Sequence, residues 1–433
     1  TENSILQNTA HHGGGIYCEQ SSPIIQDNQI EGNEVTASGG GIACSGSSPE
    51  ISDNSIIGNS AAQGGGIGSI DSDPVISGNT FAENDASQGG AVYCKLDSAL
   101  ILDNAFNDNT ASSGGAIHGY QAVCEIAGNT IQGNSSGNGG GLSFWECEVT
   151  SEGNAITEND AGGFGGGIYL LNTHLNVINN LVCDNEANNG GGVYLLNSSA
   201  VFMNATVSRN DAYAAAGGFY CAVNSEATLL NSIIQGNSPG GIHLQGGSSC
   251  QAKYCNVQGG WEGEGNINSN PMFMDWTDYH LADWSPSIGA GMAVIEVDGT
   301  AYYAPSSDLD GNDRPAPAGS DPDQGAYEHS LGIPAGVASE DQGQVPTRYA
   351  LYQNAPNPFN PETVIRFDLP HRTFVNLSIY DVAGRLVAKL AEGFWEVGCH
   401  DVIFDAGELS SGVYIYRLSA GDFGACGKMI LLK

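Results

Sequence analysis

The sequence predicts an all-β fold: a right-handed parallel β-helix, a solenoid wound in coils of about 25 residues, followed by a small antiparallel β-sandwich. Three observations predict it. A glycine-led signature returns at a fixed interval, an asparagine signature is locked to it, and near the C-terminus both give way to short alternating strands.

The first signature is Gly-Gly-Gly/Ala followed by an apolar residue, which falls at Ile16, Ile42, Ile67, Val92, Ile117, Leu142, Ile168, Val193, Phe219 and Ile242. The second, Asn-x-Ile/Phe-x-x-Asn, runs from Asn28, Ile30 and Asn33 to Asn154, Ile156 and Asn159, and is continued past an insertion at Asn204, Val207 and Asn210. Gly, Asn, Ser and β-branched residues are poor helix formers, and the apolar residues between the marks alternate at period two, so short strands joined by turns are expected. One such unit is too thin to bury its own side chains. Stacked in parallel at about 4.8 Å per coil, ten coils span roughly 48 Å, and each sequence position becomes a column. Ile, Val and Leu columns form the core, Asn columns pass amide hydrogen bonds between coils, and glycines serve corners where a Cβ would clash. The Leu-x-x-Leu-x-Leu pattern of the competing leucine-rich solenoid is absent.

The chain carries 48 acidic and 12 basic residues, a formal charge of −36, and only Lys95, Arg209, Lys253 and Arg314 are basic before residue 330. Such a field repels phosphate backbones and anionic lipid surfaces, so nucleic acid is not an expected partner. No apolar run is long enough to span a bilayer. A start at Thr1 without a signal segment is expected of a processed or trimmed product. The first fragment, Asn3-x-Ile5-x-x-Asn8, is the second half of a coil, whose free edge would template another copy and so allow a head-to-tail fibre.

The eleven cysteines lack C-x-x-C pairs and zinc-like histidine spacing. Cys18, Cys44, Cys94 and Cys221 each stand two residues after a strand opener and should point inward as small apolar groups. Neighbouring coils nevertheless bring Cys18 and Cys44 within disulfide range, and Cys250 with Cys255 and Cys399 with Cys426 are further pairs in an oxidising compartment.

After residue 245 the glycine signature fades. Asn270-Pro271-Met272-Phe273, Asp308-Leu309-Asp310-Gly311-Asn312-Asp313-Arg314-Pro315 and Asp323-Gln324-Gly325-Ala326-Tyr327-Glu328 follow. This tract resembles the closing coils of secreted bacterial parallel β-helix proteins, and the upstream repeats are similar to those of surface β-helix proteins. The β-helix is thus expected over 1–330, a Gly- and Pro-rich linker over 331–348, and the β-sandwich over 349–433. Within the last segment, Tyr352-Gln353-Asn354-Ala355-Pro356-Asn357-Pro358-Phe359-Asn360-Pro361, Tyr380-Asp381-Val382-Ala383-Gly384-Arg385, Ser411-Gly412-Val413-Tyr414-Ile415-Tyr416-Arg417-Leu418 and the terminal lysine resemble the C-terminal sorting domain of type IX secretion in Bacteroidetes. The resemblance implies engagement of that secretion machinery and a place outside the cell or on the outer-membrane surface of a Gram-negative bacterium.

Candidate chemistry is sparse. A uronate lyase needs a base and, commonly, calcium, yet the repeats offer only Lys95 and Arg209, several coils apart. An inverting glycosidase needs two carboxyls about 6.5–9.5 Å apart. Asp27, Asp53, Asp103, Glu83 and Glu158 recur on neighbouring coils, and as repeat-register residues they read first as solvated turns. Asp308, Asp310 and Asp313 crowd around Gly311, as a calcium loop would require, but a turn held by Arg314 needs the same residues. No catalytic constellation is assigned, and no cofactor beyond that calcium is expected. The residue after each strand opener should face outward, and with its neighbours gives a band of Tyr93, Tyr120, Trp145, Tyr169, Tyr194 and Tyr220 that would stack sugar rings, dock a protein or brace its own sheet. The reading is therefore a non-enzymatic extracellular surface or matrix protein, adhesive or structural. Its alternatives are a polysaccharide-degrading enzyme and a carbohydrate-binding protein acting on the outer face of the coils.

Overall fold

A computed structural model describes residues 1–333, 348–395, 397–407, 409–421 and 423–432, without the side chains at 399 and 401. Most of the expected linker, the terminal lysine and the Cys399 side chain lie outside the described residues. The chain divides into two units, Thr1–Pro334 and Ala335–Lys433, and the described residues form strands and no helix.

Each coil of the first unit contributes up to four strands, typified by Ile42–Ser45, Glu50–Ser52, Ser55–Ile57 and Ser60–Gln63. Stacked through the unit they build four parallel sheets, termed I to IV in that order, of 10, 10, 11 and 9 strands. Pairing is in register, so that Ile42, Ile67 and Val92 stand on one another, as do Ile56, Phe81 and Phe106. These inward columns, with Ile51, Ile76 and Ile101 from sheet II, make one continuous apolar core. Phe81 and Phe106 stack at 4.8 Å within it, close to the rise expected per coil.

Two asparagine ladders hold the corners, Asn28 to Asn180 between sheets II and III and Asn33 to Asn237 between sheets III and IV. Within each ladder the Oδ1 accepts twice, except at Asn180, which takes only the Asn154 N–H: Asn104 Oδ1 takes the backbone N–H of Asn79 at 2.9 Å and its Nδ2 at 3.0 Å. Buried amide groups are thereby satisfied along the whole stack. At the other corner Gly64 has φ +64°, and a Cβ on it would meet Ile67 O at 2.0 Å, which is why glycine recurs there.

One register differs from the text of the sequence. Asn204 does not continue the first ladder: Ala205 stands in that column, with Ser232 Oγ accepting its N–H at 3.1 Å. Asn204 instead takes the adjacent left-handed turn position, φ 50°, and donates to Asp323 O at 3.0 Å. Nothing is inserted here: Ala205, Val207 and Asn210 keep the spacing of Asn154, Ile156 and Asn159, the ladder position is an alanine, and the motif match followed the letter and not the column.

Residues 270–328 do not wind. They lie over the outer faces of sheets II and III on the later coils, Ile295 and Val297 against Met203 and Leu230 and Phe273 and Tyr279 against Leu181 and Cys183, pinned by buried Arg314, which pairs with Glu328 at 2.8 Å and reaches Asn179 Oδ1 at 2.5 Å. Trp261 packs against the late end of the core beside Ile242 and Leu244.

The second unit pairs a three-stranded antiparallel sheet, centred on Glu362–Leu369, with a four-stranded one containing Thr373–Asp381 and Gly412–Ala420. Alternate residues Ile365, Phe367, Leu369, Val375, Leu377, Ile379, Tyr416 and Leu418 fill its core.

Candidate functional site

The expected aromatic band is present as a column but not as an open face. Tyr93, Tyr169, Tyr194 and Tyr220 are only 2–8% exposed, because sheet IV and the turn after it fold back over sheet I. Tyr169, Tyr194 and Tyr220 stack at 5.7 and 4.9 Å, Phe164 of the overlying strand lies 4.6 Å from Tyr194, and alanines of the arm seal the cluster. Earlier in the column His118 lies parallel to Tyr93 at 5.7 Å and edge-on to Trp145 at 5.2 Å. Burial holds the His118 pKa down at about 4 and pushes Tyr93 up to about 12, so both rings are neutral through the physiological range. Tyr120 and Trp145 keep partial exposure at the rim, where Tyr120 carries Lys95 Nζ 5.8 Å above its ring. The reason is physical: alternation told which side of sheet I the rings take, and says nothing of sheet IV and its turn, an arm folded over that side.

The recurring acids are turn residues. Asp27, Asp53 and Asp103 occupy the turn from sheet II to III, Glu83 and Glu158 the turn from III to IV, all with φ of 55–57°. Asp308, Asp310 and Asp313 do not converge on a common centre. Asp308 is buried, and its oxygens accept from the N–H groups of Asp310, Asn312 and Glu328 at 2.8–3.0 Å. Asp310 turns to His280, and Asp313 pairs with Ser307 in a backbone bridge. Among the described residues no group of three or more His, Cys, Asp or Glu is placed to hold a metal ion. Arg314 contributes to the turn through Glu328. Cys18 and Cys44 face each other in register as thiols in contact, and Cys250, Cys255 and Cys426 are also thiols.

Sequence reading missed a place where two aromatic rings, a cation and a carboxylate meet at the surface. Sheet III presents a flat outer floor over the early and middle coils, in columns such as Ser55, Thr80, Ala105, Thr130 and Ala155. The floor ends where Phe273, Tyr279, Leu309 and Tyr327 bury Leu181 and Cys183. At that wall a small hairpin, closed by the Phe273–Leu281 bridge, carries Trp276 at its tip, 77% exposed. Arg209, from the III-to-IV turn, lies 4.8 Å from both the Trp276 and the Tyr279 ring. Its guanidinium is held bidentate by Asp184 of the preceding coil, Nε to Oδ1 at 3.0 Å and Nη2 to Oδ2 at 2.7 Å. The Tyr279 hydroxyl donates to the same Asp184 Oδ2 at 2.6 Å. Burial, then the nearby Cys183 and Asp184, push the Tyr279 pKa well above its ordinary value, so it stays a donor.

Beside this group His280 bridges two carboxylates, Nδ1 to Asp278 at 2.5 Å and Nε2 to Asp310 at 2.7 Å, with its ring 4.0 Å from Tyr327. Burial opposes its protonation, but the bonds to Asp310 and Asp278 prevail and raise its pKa. Lone signals for this site were faint. Arg209 is one of four basic residues before residue 330, and Trp276 sits in the tract where the repeat fails.

Comparison with known families agrees with this architecture. The family model described as right handed beta helix region matches residues 1–147 and 90–257. The chain belongs to the right-handed β-helix family. The secretion system C-terminal sorting domain matches residues 354–432 of the second unit, so this β-helix protein carries a type IX sorting tail, which implies export to the extracellular or cell-surface space. Neither the curated proteins nor the solved structures give a match. Among the described residues no helix is long and apolar enough to cross a membrane.

Proposed function

We propose that this β-helix is a non-enzymatic surface or matrix protein of a Gram-negative bacterium that holds a neutral extracellular glycan on the floor of sheet III, against Trp276. One observation carries the reading: an indole held out to solvent by a guanidinium stacked behind it, at the end of a flat face. A pyranose ring offers an apolar face to such an indole, while the Asp184 carboxylate and the polar floor accept its hydroxyls. Because Asp184 already neutralises Arg209 and the chain carries a charge of −36, an acidic polymer is disfavoured.

The test is a panel of neutral and acidic polysaccharides, scored for both retention and release of reducing ends. Retention of a neutral polymer without new reducing ends is expected, weakened about tenfold by Trp276→Ala, or about 1.4 kcal/mol. Equal retention by the variant removes the site, and release of reducing ends replaces the reading with a glycosidase. End-to-end association of copies is a separable part of the proposal, supported by the in-register parallel edges of the coils. Light scattering at high concentration checks it, and a strictly monomeric species counts against a fibre.

A further inference from the structure

Besides Cys18 and Cys44, which stand on each other in sheet I, and Cys183 under the cover, six further cysteines fall into two kinds. Cys147 and Cys255 occupy ladder columns and act as a serine would. Cys147 Sγ donates to Trp145 O at 3.2 Å and accepts from Ala122 N–H at 3.5 Å, while Cys255 Sγ donates to Lys253 O at 3.2 Å and accepts from Ser232 N–H at 3.4 Å. Those thiols are committed to holding coils together.

Cys94, Cys124, Cys221 and Cys250 stand elsewhere. Cys94 points inward from sheet I, and the residue facing it from sheet II of its own coil is Ala99. Cys124 stands on Ala99 in register, one coil later. Alanine leaves room beneath, and the Cys94 and Cys124 thiols are near neighbours across the corner. The same diagonal recurs near the end of the winding: Cys221 points inward from sheet I, Ala227 is its partner coil position on sheet II, and Cys250 stands on Ala227 in register. Small residue, sheet I thiol and next-coil sheet II thiol are thus repeated in one arrangement, five coils apart.

We infer that Cys94–Cys124 and Cys221–Cys250 close as disulfides, two diagonal staples that each tie sheet I of one coil to sheet II of the next. The exported chain meets an oxidising compartment, where such pairs form and persist. In each closure two S–H bonds break and one S–S bond forms. The two protons and two electrons leave to the disulfide of a dithiol oxidase, which is reduced to two thiols. Closure precedes completion of the core, since Cys94 and Cys124 are both buried there, and the neighbouring Cys124 and burial together disfavour the Cys94 thiolate needed for exchange.

The pairing replaces Cys250–Cys255, expected from proximity in sequence, because the Cys255 thiol is engaged in the ladder. The test uses the full chain exported to an oxidising periplasm, denatured without reductant in the presence of one alkylating label, then reduced and given a second. Cys94, Cys124, Cys221 and Cys250 should carry the second label, and linked peptides should join 94 to 124 and 221 to 250. Reduction should lower the melting midpoint by on the order of 5 °C, a shift that shrinks in the Cys94→Ala/Cys124→Ala double variant. First-label modification of all four overturns the proposal. A 250–255 linkage overturns the second staple. The peptide map reads linkage without requiring either variant to fold.

Discussion

The wound coils and the unwound cover of residues 270–328 are built by opposite rules. In the coils each side chain is chosen by the copy of itself above and below, so asparagine stands on asparagine and tyrosine on tyrosine. In the cover no residue has such a copy: Trp276, Tyr279 and Arg314 each answer to a partner far away in sequence, on a coil already laid down, and His280 to Asp278 and Asp310 of the cover itself. The two aromatic clusters display the difference. The tyrosine stack is repeated and covered, whereas Trp276 is unique and exposed. Repetition here buys rigidity, and departure from it supplies the surface on which recognition is proposed.

The comparison breaks most readily at the ladder. Asn109 is fully buried: its Oδ1 accepts from Asn84 N–H at 3.1 Å and Nδ2 at 2.9 Å, and its Nδ2 donates to Phe81 O and Asn134 Oδ1. Asn109→Ala takes the side-chain partner from the Asn84 donors and the Phe81 carbonyl of the preceding coil, and one of the two donors from Asn134 Oδ1 of the next, all in the interior. A loss of about 3–5 kcal/mol is expected in denaturant unfolding. A loss below about 1 kcal/mol would mean that the ladder decorates a core held by its apolar columns alone.

Next in size is Tyr194→Ala. The ring lies between Tyr169 and Tyr220 and under Phe164, and its removal opens a gap in a nearly closed cluster. We expect about 2–4 kcal/mol of destabilisation with glycan retention unchanged. Lost retention in a variant that still unfolds like the parent would restore the stack as a binding surface and erase the division between covered repeat and exposed exception.

How far the sequence could be read follows from the same division. The solenoid was legible because in-register stacking turns a spacing in the text into a contact in space, and Ile42, Ile67 and Val92 meet where the interval says they must. The sandwich strands were legible from alternation, as in Ile365, Phe367 and Leu369. The exposure of Tyr169 and Tyr194 was not, because period two fixes a side of the sheet and says nothing of an arm folded over it. The Asn204 register failed because the ladder position is an alanine, Ala205, and an asparagine stands one place before it. Trp276 and Arg209 were illegible as a pair, since their meeting depends on where a non-periodic hairpin comes down on the ninth coil and not on any interval between them.

The smallest expected effect probes the one ladder column that departs from neutrality. At the turn from sheet I to II the residues Ser47 and Ser72 are followed by Asp97, whose Oδ1 accepts Ser72 N–H at 2.8 Å. Burial pushes its pKa up to about 7, against the lowering effect of the N–H bonds, with Asp71 adding a little in the same upward direction. Cys44 and Cys94 face it from within the core. A carboxyl whose folded pKa lies above its unfolded value binds its proton more tightly in the folded chain. Its contribution to stability is therefore whole below about pH 4 and is lost as pH rises through about 7. Asp97→Asn keeps the bond from Ser72 and removes the titration. The variant should match the parent near pH 4 and exceed it by about 1–2 kcal/mol at pH 8, read as a difference in unfolding midpoints across that window. A constant difference at all pH values would show that Asp97 is wet enough to ionise freely, and that the corner between sheets I and II is open where the ladders make it look closed.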